Sequence, residues 1–287
     1  MNILVTGHRG ILGRAVIAEL KRRGVDVTGA DVSEMDIADG GRVRAVVGRL
    51  RPEVVINCAA YTAVDACEGQ RDLCFAVNAT GAGNVAGAAA GAGARVIHLS
   101  TDYVFDGSSR VPYTEDAEPA PLSAYGESKW EGEKRVAAAA PDHLIVRTAG
   151  LFGVGGVSFV SKILARAKNG GSLEVVNDQW SSPTYAGHLA EALAELLDIE
   201  FRGVVHVAGA GVASWYDVAG EVLKLTALDV PVRGISAADL ASAAERPAFS
   251  ALDCSRYAGL TGRVMPPWRE GLKAYLTEIK EMRVDAD

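Results

Sequence analysis

Short apolar runs alternate with amphipathic stretches through the first half of the chain. Runs at 3–6, 26–30, 54–57, 95–100 and 144–147 have the length and β-branched character of strands. Between them, segments near 12–23, 41–50, 72–92 and 124–138 have helical length and spacing. Strands alternating with helices in this way predict an α/β fold: a Rossmann-like, doubly wound parallel sheet with helices on both faces. The segment 79–94 is almost entirely Ala and Gly, which suits a helix lying close against a sheet.

Past residue 150 the rhythm loosens. A glycine-rich stretch, 150–156, leads to a helix near 158–168, a short strand at 173–176 and a loop at 177–184. Further helices are predicted near 185–198, 215–227 and 267–281. Residues 1–150 are therefore expected to form a dinucleotide-binding domain. Residues 151–287 are expected to form mostly a smaller C-terminal substrate-binding lobe, with segments returning to the cofactor domain. A chain of 287 residues is long enough for both.

The formal net charge is -7, and no basic block or basic-aromatic stripe occurs, so nucleic acid is excluded as the expected partner. Lys21-Arg22-Arg23 before Gly24 reads as a helix end, where cations complement the dipole. Cys58, Cys67, Cys74 and Cys254 form neither a CxxC pair nor a His/Cys cluster, which points to free thiols in a reducing compartment. Strand pattern starts at Asn2, leaving no room for a signal peptide, and 79–94 is too short and broken to span a bilayer. A cytoplasmic protein without membrane contact is expected.

Gly7-His8-Arg9-Gly10-Ile11-Leu12-Gly13 joins the first strand to the first helix as GxxGxxG. Gly7 allows a sharp turn, Gly10 lets the backbone approach a pyrophosphate, and Gly13 lets the helix pack on the strand. The helix amino terminus then offers unpaired N–H groups to the phosphates. Because the motif opens the first βαβ unit, it predicts a dinucleotide site and not merely a glycine-rich turn. Asp31, after the second strand, is placed to accept from the adenosine ribose hydroxyls, which favours NAD. Arg9 is suited to a 2′-phosphate, which favours NADP. The cofactor reading stays at NADP or NAD.

Tyr125-Gly126-Glu127-Ser128-Lys129 contains Tyr-x-x-x-Lys. On a helix these two residues share a face. The ammonium is expected to lower the phenol's pKa and to hold the nicotinamide ribose, while Tyr125 protonates a carbonyl oxygen as hydride reaches carbon. The fourth strand ends in Ser100-Thr101-Asp102, at the sheet edge where ligands bind in such folds. Ser100 or Thr101 there can donate a hydrogen bond to the substrate oxygen. The alternative, a surface Tyr and Lys on a helix, does not explain this convergence.

The chain resembles the dTDP-4-dehydrorhamnose reductase family of extended short-chain dehydrogenases. The resemblance rests on Arg51–Asp65, Ser100–Gly107, Tyr125–Lys129 with Gly132-Glu133, Asn177-Asp178-Gln179 with Ser182-Pro183-Thr184, Trp215-Tyr216-Asp217 and Arg246-Pro247, with Ser250, Leu252 and Asp253. It implies reduction of the C4 keto group of a dTDP-linked 4-keto-6-deoxy-L-hexose, the last step to dTDP-L-rhamnose. It also implies Thr101, Tyr125 and Lys129 as the catalytic trio, and Val64 and Asp102 against the sugar. Ala59, Ala60, Tyr61 and Asn78 would lie at the cofactor, with Asp36 and Ile37 near its adenine.

Two departures stand out. Gly150 occupies a place where many members carry a Trp that touches the sugar, and Ala15 stands where some carry a Mg²⁺-binding Glu, so no metal is expected. Arg246 is assigned to the substrate phosphates, which a planar guanidinium grips bidentately, against the alternative of a surface salt bridge. His98 is read as a packed core histidine, Cys58 as buried and inert, and Trp180 and Trp215 as core packing more than base stacking. Rival functions are reduction of another dTDP- or GDP-4-keto-hexose, and a non-catalytic, NADP-binding regulatory subunit. A 4,6-dehydratase reading is weaker, because Thr101 is followed by Asp102 and Tyr103 and not by an acid-base pair. The expected assembly is a homodimer.

Overall fold

Six strands pair in one parallel sheet. They are β1 (Asn2–Thr6), β2 (Asp26–Ala30), β3 (Val54–Asn57), β4 (Arg95–Thr101), β5 (His143–Thr148) and a sixth strand, Gly203–His206. The computed structural model describes residues 1–284, so 285–287 of the expected lobe lie outside the described residues. Across the sheet the order is sixth strand, β5, β4, β3, β1, β2. The chain runs from β1 out to β2 and then crosses back over β1 to β3. Ligand crevices form where the order reverses, here between β1 and β3.

Alternate residues of each strand feed two separate cores, as a period of two requires. On one face Ile3 and Val5 pack with Val16 and Leu20 of α1 (Ile11–Arg22). On the other, Leu4 and Val55 pack with Val43 and Val47 of α2 (Gly40–Leu50). The predicted helix 72–92 is interrupted. After α3 (Val64–Gly69), the chain forms α4 (Arg71–Phe75), a π-helical turn at Ala76–Gly81, and α5 (Ala82–Gly91). The π turn carries Asn78, and such turns re-aim a side chain at the cost of regular helix pairing.

The second half contributes to both layers. After α7 (Phe159–Lys168), α8 (Ala186–Leu196) buries Leu189 and Leu193 in the same core as α1, and the sixth strand extends the sheet beside β5. A third core collects Ile163 of α7, Val222 of α9 (Trp215–Thr226) and Leu272 of α11 (Trp268–Val284). The helix α10 (Ser255–Thr261), the sixth strand and the strand Val232–Ile235 have no counterpart in the pattern reading. Each strand is four residues long and is fixed by its partner, β5 or Leu173–Val176, more than by its own alternation.

Helix α6 (Ala124–Ala139) is seated unusually close to its neighbours. A Cβ at Gly126 would stand 2.2 Å from the Tyr103 carbonyl oxygen, and one at Gly132 would stand 2.2 Å from that of Asn78. The helix is also pinned electrostatically. Arg147 of β5 donates from Nε and Nη2 to the two oxygens of Glu133 at 2.9 and 2.7 Å, and Ser100 Oγ of β4 donates to the same carboxylate at 2.5 Å. Both partners of the ion pair are buried.

Removing one partner of a buried pair strands the other charge. Glu133→Ala is expected to cost about 3–5 kcal/mol of stability in urea denaturation. A loss below about 1 kcal/mol would show that α6 is held by packing alone.

Candidate functional site

The carboxyl ends of the strands open into a cleft of about 720 Å³ that runs from the glycine loop to Thr101, Tyr125 and Gly150. At its near end β1 runs into Gly7, whose φ is +63° and whose absent Cβ would fall 2.8 Å from Ala59 Cα. A Cβ on Gly13 would fall 2.3 Å from the Gly7 carbonyl oxygen. Only glycine lets this loop and α1 close up so tightly. Gly10, the N-cap of α1, makes no side-chain cap, so the first-turn N–H groups of Ile11, Leu12 and Gly13 face the cleft uncapped. This cradle fits a dinucleotide pyrophosphate: the donors are backbone groups aligned with the positive end of the helix dipole.

Asp31, Asp36 and Ile37 line the end of the cleft beyond β2. The Asp31 carboxylate accepts from the backbone N–H groups of Arg9 at 3.0 Å and Val32 at 2.8 Å. The side chains of His8 and Arg9, expected at the cofactor, turn away from it. The His8 ring packs over Gly29, whose missing Cβ leaves room for it, and the Arg9 guanidinium pairs with Glu34 at 2.6 Å.

Beyond β3, Cys58, Ala59, Ala60 and Tyr61 form the floor. A buried relay supports them. Thr6 Oγ1 donates to Asn57 Oδ1 at 2.6 Å and accepts from Ala59 N at 3.2 Å, while Asn57 Nδ2 donates to His98 Nδ1 at 3.0 Å. His98 is a core residue, and burial pulls its pKa well down. Burial also pushes the Cys58 thiol up to about 12. Asn78 is buried beneath this floor and not on its surface. Its Oδ1 accepts from Tyr61 N at 2.8 Å, and its Nδ2 donates to Tyr61 O and to Ser128 Oγ, each at 3.0 Å. Its amide is saturated by protein, so it clamps the Tyr61 loop to α6.

At the far end, Ser123 caps α6 by accepting from Gly126 N at 3.3 Å. Tyr125 and Lys129 then point into the cleft beside Thr101. Lys129 Nζ donates to the Leu99 carbonyl oxygen at 2.6 Å, and burial lowers its pKa to about 8. The expected depression of the Tyr125 phenol by Lys129 is not seen: burial raises its pKa, with only a hydrogen bond from Thr101 opposing. Desolvating a phenolate outweighs an ammonium already turned to a carbonyl. Ser100, the other candidate donor, spends its hydroxyl on Glu133. Thr101 Oγ1 is held instead by Asp102 Oδ1 at 3.0 Å. Asp102 also accepts from Ser250 Oγ at 2.5 Å and Ser181 Oγ at 3.3 Å, and burial raises its pKa to about 6 against those hydrogen bonds.

Val64 lines the cleft at the start of α3. Arg246 is not on its wall: Nη2 pairs with Asp65 at 2.7 Å and Nη1 donates to Ala244 O at 3.0 Å. The salt-bridge alternative is the arrangement found. Tyr103, Val157 and Phe159, which no motif singles out, also line the cleft, as does Trp215, which was expected in the core. Tyr103 sits edge-on to Tyr125 with ring centroids 5.7 Å apart, and Phe159 lies 4.7 Å from Trp215. The Ser158 capping box, visible as Ser-x-x-Ser, is the one local signal that sets Phe159 at a helix start. Gly150 has φ +53°, and a Cβ there would approach Pro183 Cα at 3.1 Å, so the position is closed to a large side chain.

A dinucleotide cradle opening onto a Tyr-Lys pair defines an NAD(P)-dependent oxidoreductase of the extended short-chain type. The profile described as the RmlD substrate binding domain matches residues 1–281, and the chain belongs to that family. A dTDP-4-dehydrorhamnose reductase of Streptomyces griseus is 40% identical over 276 residues, covering 94% of this chain and 91% of the relative. A dTDP-4-keto-6-deoxy-D-glucose reductase of Streptomyces niveus is 40% identical over 262 residues, covering 90% and 91%. The crystal structure of dTDP-4-dehydrorhamnose reductase from Bacillus anthracis in complex with NADP superposes with a TM-score of 0.93 at 36% identity, covering 97% of this chain and all of that one. No helix among the described residues is long and apolar enough to cross a membrane.

Gly13→Ala is expected to weaken NADPH binding by at least about tenfold in a fluorescence titration and to cost about 1–3 kcal/mol of stability, because the methyl must push the loop off the helix. Unchanged affinity would mean that the phosphates lie elsewhere.

Proposed function

We propose that this protein reduces the C4 keto group of a nucleotide-activated sugar, converting dTDP-4-dehydro-L-rhamnose to dTDP-L-rhamnose with NADPH or NADH. The observation that carries the reading is the meeting of Thr101, Tyr125 and Lys129 at the end of β4, beside the glycine cradle. A reduced dinucleotide bound in the glycine cradle would supply the hydride. Tyr125 donates to the carbonyl oxygen, and Thr101 joins it by turning its one hydroxyl proton from Asp102 Oδ1 to that oxygen. Tyr125, kept protonated by burial, gives its proton to that oxygen as negative charge develops there. Lys129 would hold the ribose of the bound dinucleotide with the ammonium protons that Leu99 leaves free.

Val64 and Asp102 are assigned to the sugar, and Asp102 also keeps the Thr101 hydroxyl oriented. Residues 1–150 with the returning segments form the cofactor domain, and most of 151–287 forms the substrate lobe. We place the enzyme in the cytoplasm, on its four free cysteines, and assign a homodimer on the prevalence of isologous pairs. Gly150 favours a second reading, reduction of a different dTDP-4-keto sugar. Gly150 presents no side chain to the cleft, while Phe159 and Trp215 line it.

Tyr125→Phe is expected to lower turnover of dTDP-4-dehydro-L-rhamnose by about 10²–10⁴-fold while NADPH still binds. Wild-type turnover of another dTDP-4-keto sugar alone would reassign the substrate. Binding of NADPH with turnover of none would favour the regulatory role.

kcat/KM is also expected to fall above about pH 8, where Lys129 loses its charge. A profile that stays flat through that range would remove the Lys129 charge from the reaction.

A further inference from the structure

Cys67 of α3 and Cys74 of α4 lie on either side of the helix break at Gln70. Their sulfurs stand 2.9 Å apart. A disulfide needs about 2.05 Å, so closing the bond takes a shift of under about 1 Å. Cys58 and Cys254 have no such neighbour; Cys254 Sγ donates to the Ala208 carbonyl oxygen at 3.7 Å.

The pair is buried, while all six residues between the two cysteines, Glu68, Gly69, Gln70, Arg71, Asp72 and Leu73, are exposed. The helices α3 and α4 are six and five residues long. Helices this short are not stable by themselves, and segments with so few buried contacts open at low cost. In the closed state burial pushes the Cys67 thiol up to about 12, so it is unreactive there. Opening of this segment is the route by which an oxidant reaches it.

The position matters because of what the sulfurs touch. They share a small cluster with Ala124, Tyr61 and Tyr125. Cys74 Sγ lies 3.1 Å from Ser128 Oγ and accepts from Asn78 Nδ2 at 3.4 Å. Asn78 is the clamp on the Tyr61 loop.

We propose that Cys67 and Cys74 form a reversible dithiol–disulfide couple, oxidised by hydroperoxides, that sets the wall carrying Tyr61 and Tyr125. One thiol, as thiolate, attacks the peroxide oxygen. Its S–O bond forms as the O–O bond breaks, giving a sulfenic acid and one water. The second thiol then displaces that hydroxyl, forming the S–S bond and releasing a second water. Two thiols are oxidised by two electrons and one hydrogen peroxide is reduced. A dithiol reductant reverses the step by exchange. Bond formation draws Cys74 away from Ser128 and Asn78 and loosens the clamp. Tyr61 and Val64 line the cleft, so bound cofactor and sugar hold the segment closed and slow the oxidation. The effect on turnover rests on the proposed reductase activity; the bond itself does not.

The full-length protein is treated with hydrogen peroxide, quenched, unfolded, alkylated with iodoacetamide and mapped by mass spectrometry. The expected result is two alkylated cysteines in place of four and a peptide pair joined through Cys67 and Cys74. Dithiothreitol should undo the link, and saturating NADPH should slow its formation severalfold. Peroxide should also reduce turnover in wild type but not in Cys67→Ala or Cys67→Ser. Four alkylated thiols after peroxide, or sulfinic acids without a linked peptide, would overturn the proposal, as would equal peroxide sensitivity of both variants and wild type. A link with no turnover in the untreated enzyme would instead count against the reductase reading.

Discussion

Helix α6 must lie against the ends of β4 and β5 for anything in the cleft to be in place, and the buried Glu133–Arg147 pair with Ser100 holds it there. An isolated buried charge is prohibitive, while a doubly hydrogen-bonded pair with a third donor is tolerable. The pair therefore permits few alternatives to this docking. Because it joins α6 to both strands at the sheet's carboxyl edge, it also fixes where Tyr125 and Lys129 emerge relative to Thr101. Arg147 is further sandwiched between the rings of Phe105 and Trp130, 5.2 and 5.9 Å away, so even its face is used for packing.

The site is electrostatically demanding because it is dry. Burial alone raises Tyr125 and Asp102 and lowers Lys129, and in each case it outweighs the nearest partner. The result is a phenol that keeps its proton, and a carboxylate and a lysine whose midpoints, about 6 and about 8, lie on either side of neutral pH. These states suit proton delivery to a carbonyl oxygen better than proton removal from an alcohol. They come from enclosure by the second half of the chain: Ser181 and Ser250, which hold Asp102, belong to loops far from β4 in sequence.

Hydrogen-bond saturation shapes the surroundings of several single residues. Asn78, Ser100 and Arg246 have the right chemistry for a ligand, but in the fold their polar atoms are taken by Tyr61 and Ser128, by Glu133, and by Asp65. Nothing local announces such partners, which lie 17 to 181 residues away. Trp215 shows the opposite case. An aromatic residue after a capping Ser reads as core packing, yet it forms part of the cleft wall because α9 starts at the cleft's rim.

What the sequence determined by itself was whatever depends on local spacing. The period of apolar runs marks the first five strands of the sheet and most of the helices between them, though not the breaks between Val64 and Gly91, and the glycine spacing marks the cradle. The four-residue interval placed Tyr125 and Lys129 on one helix face, since each of these is set by backbone geometry within a few residues. Tertiary structure alone decided the strand order, the sixth strand, the return of α8 to the cofactor side and the protonation states of the site. Those depend on burial and on partners distant in the chain, and a residue's solvent exposure is a property of the fold and not of its neighbours in sequence.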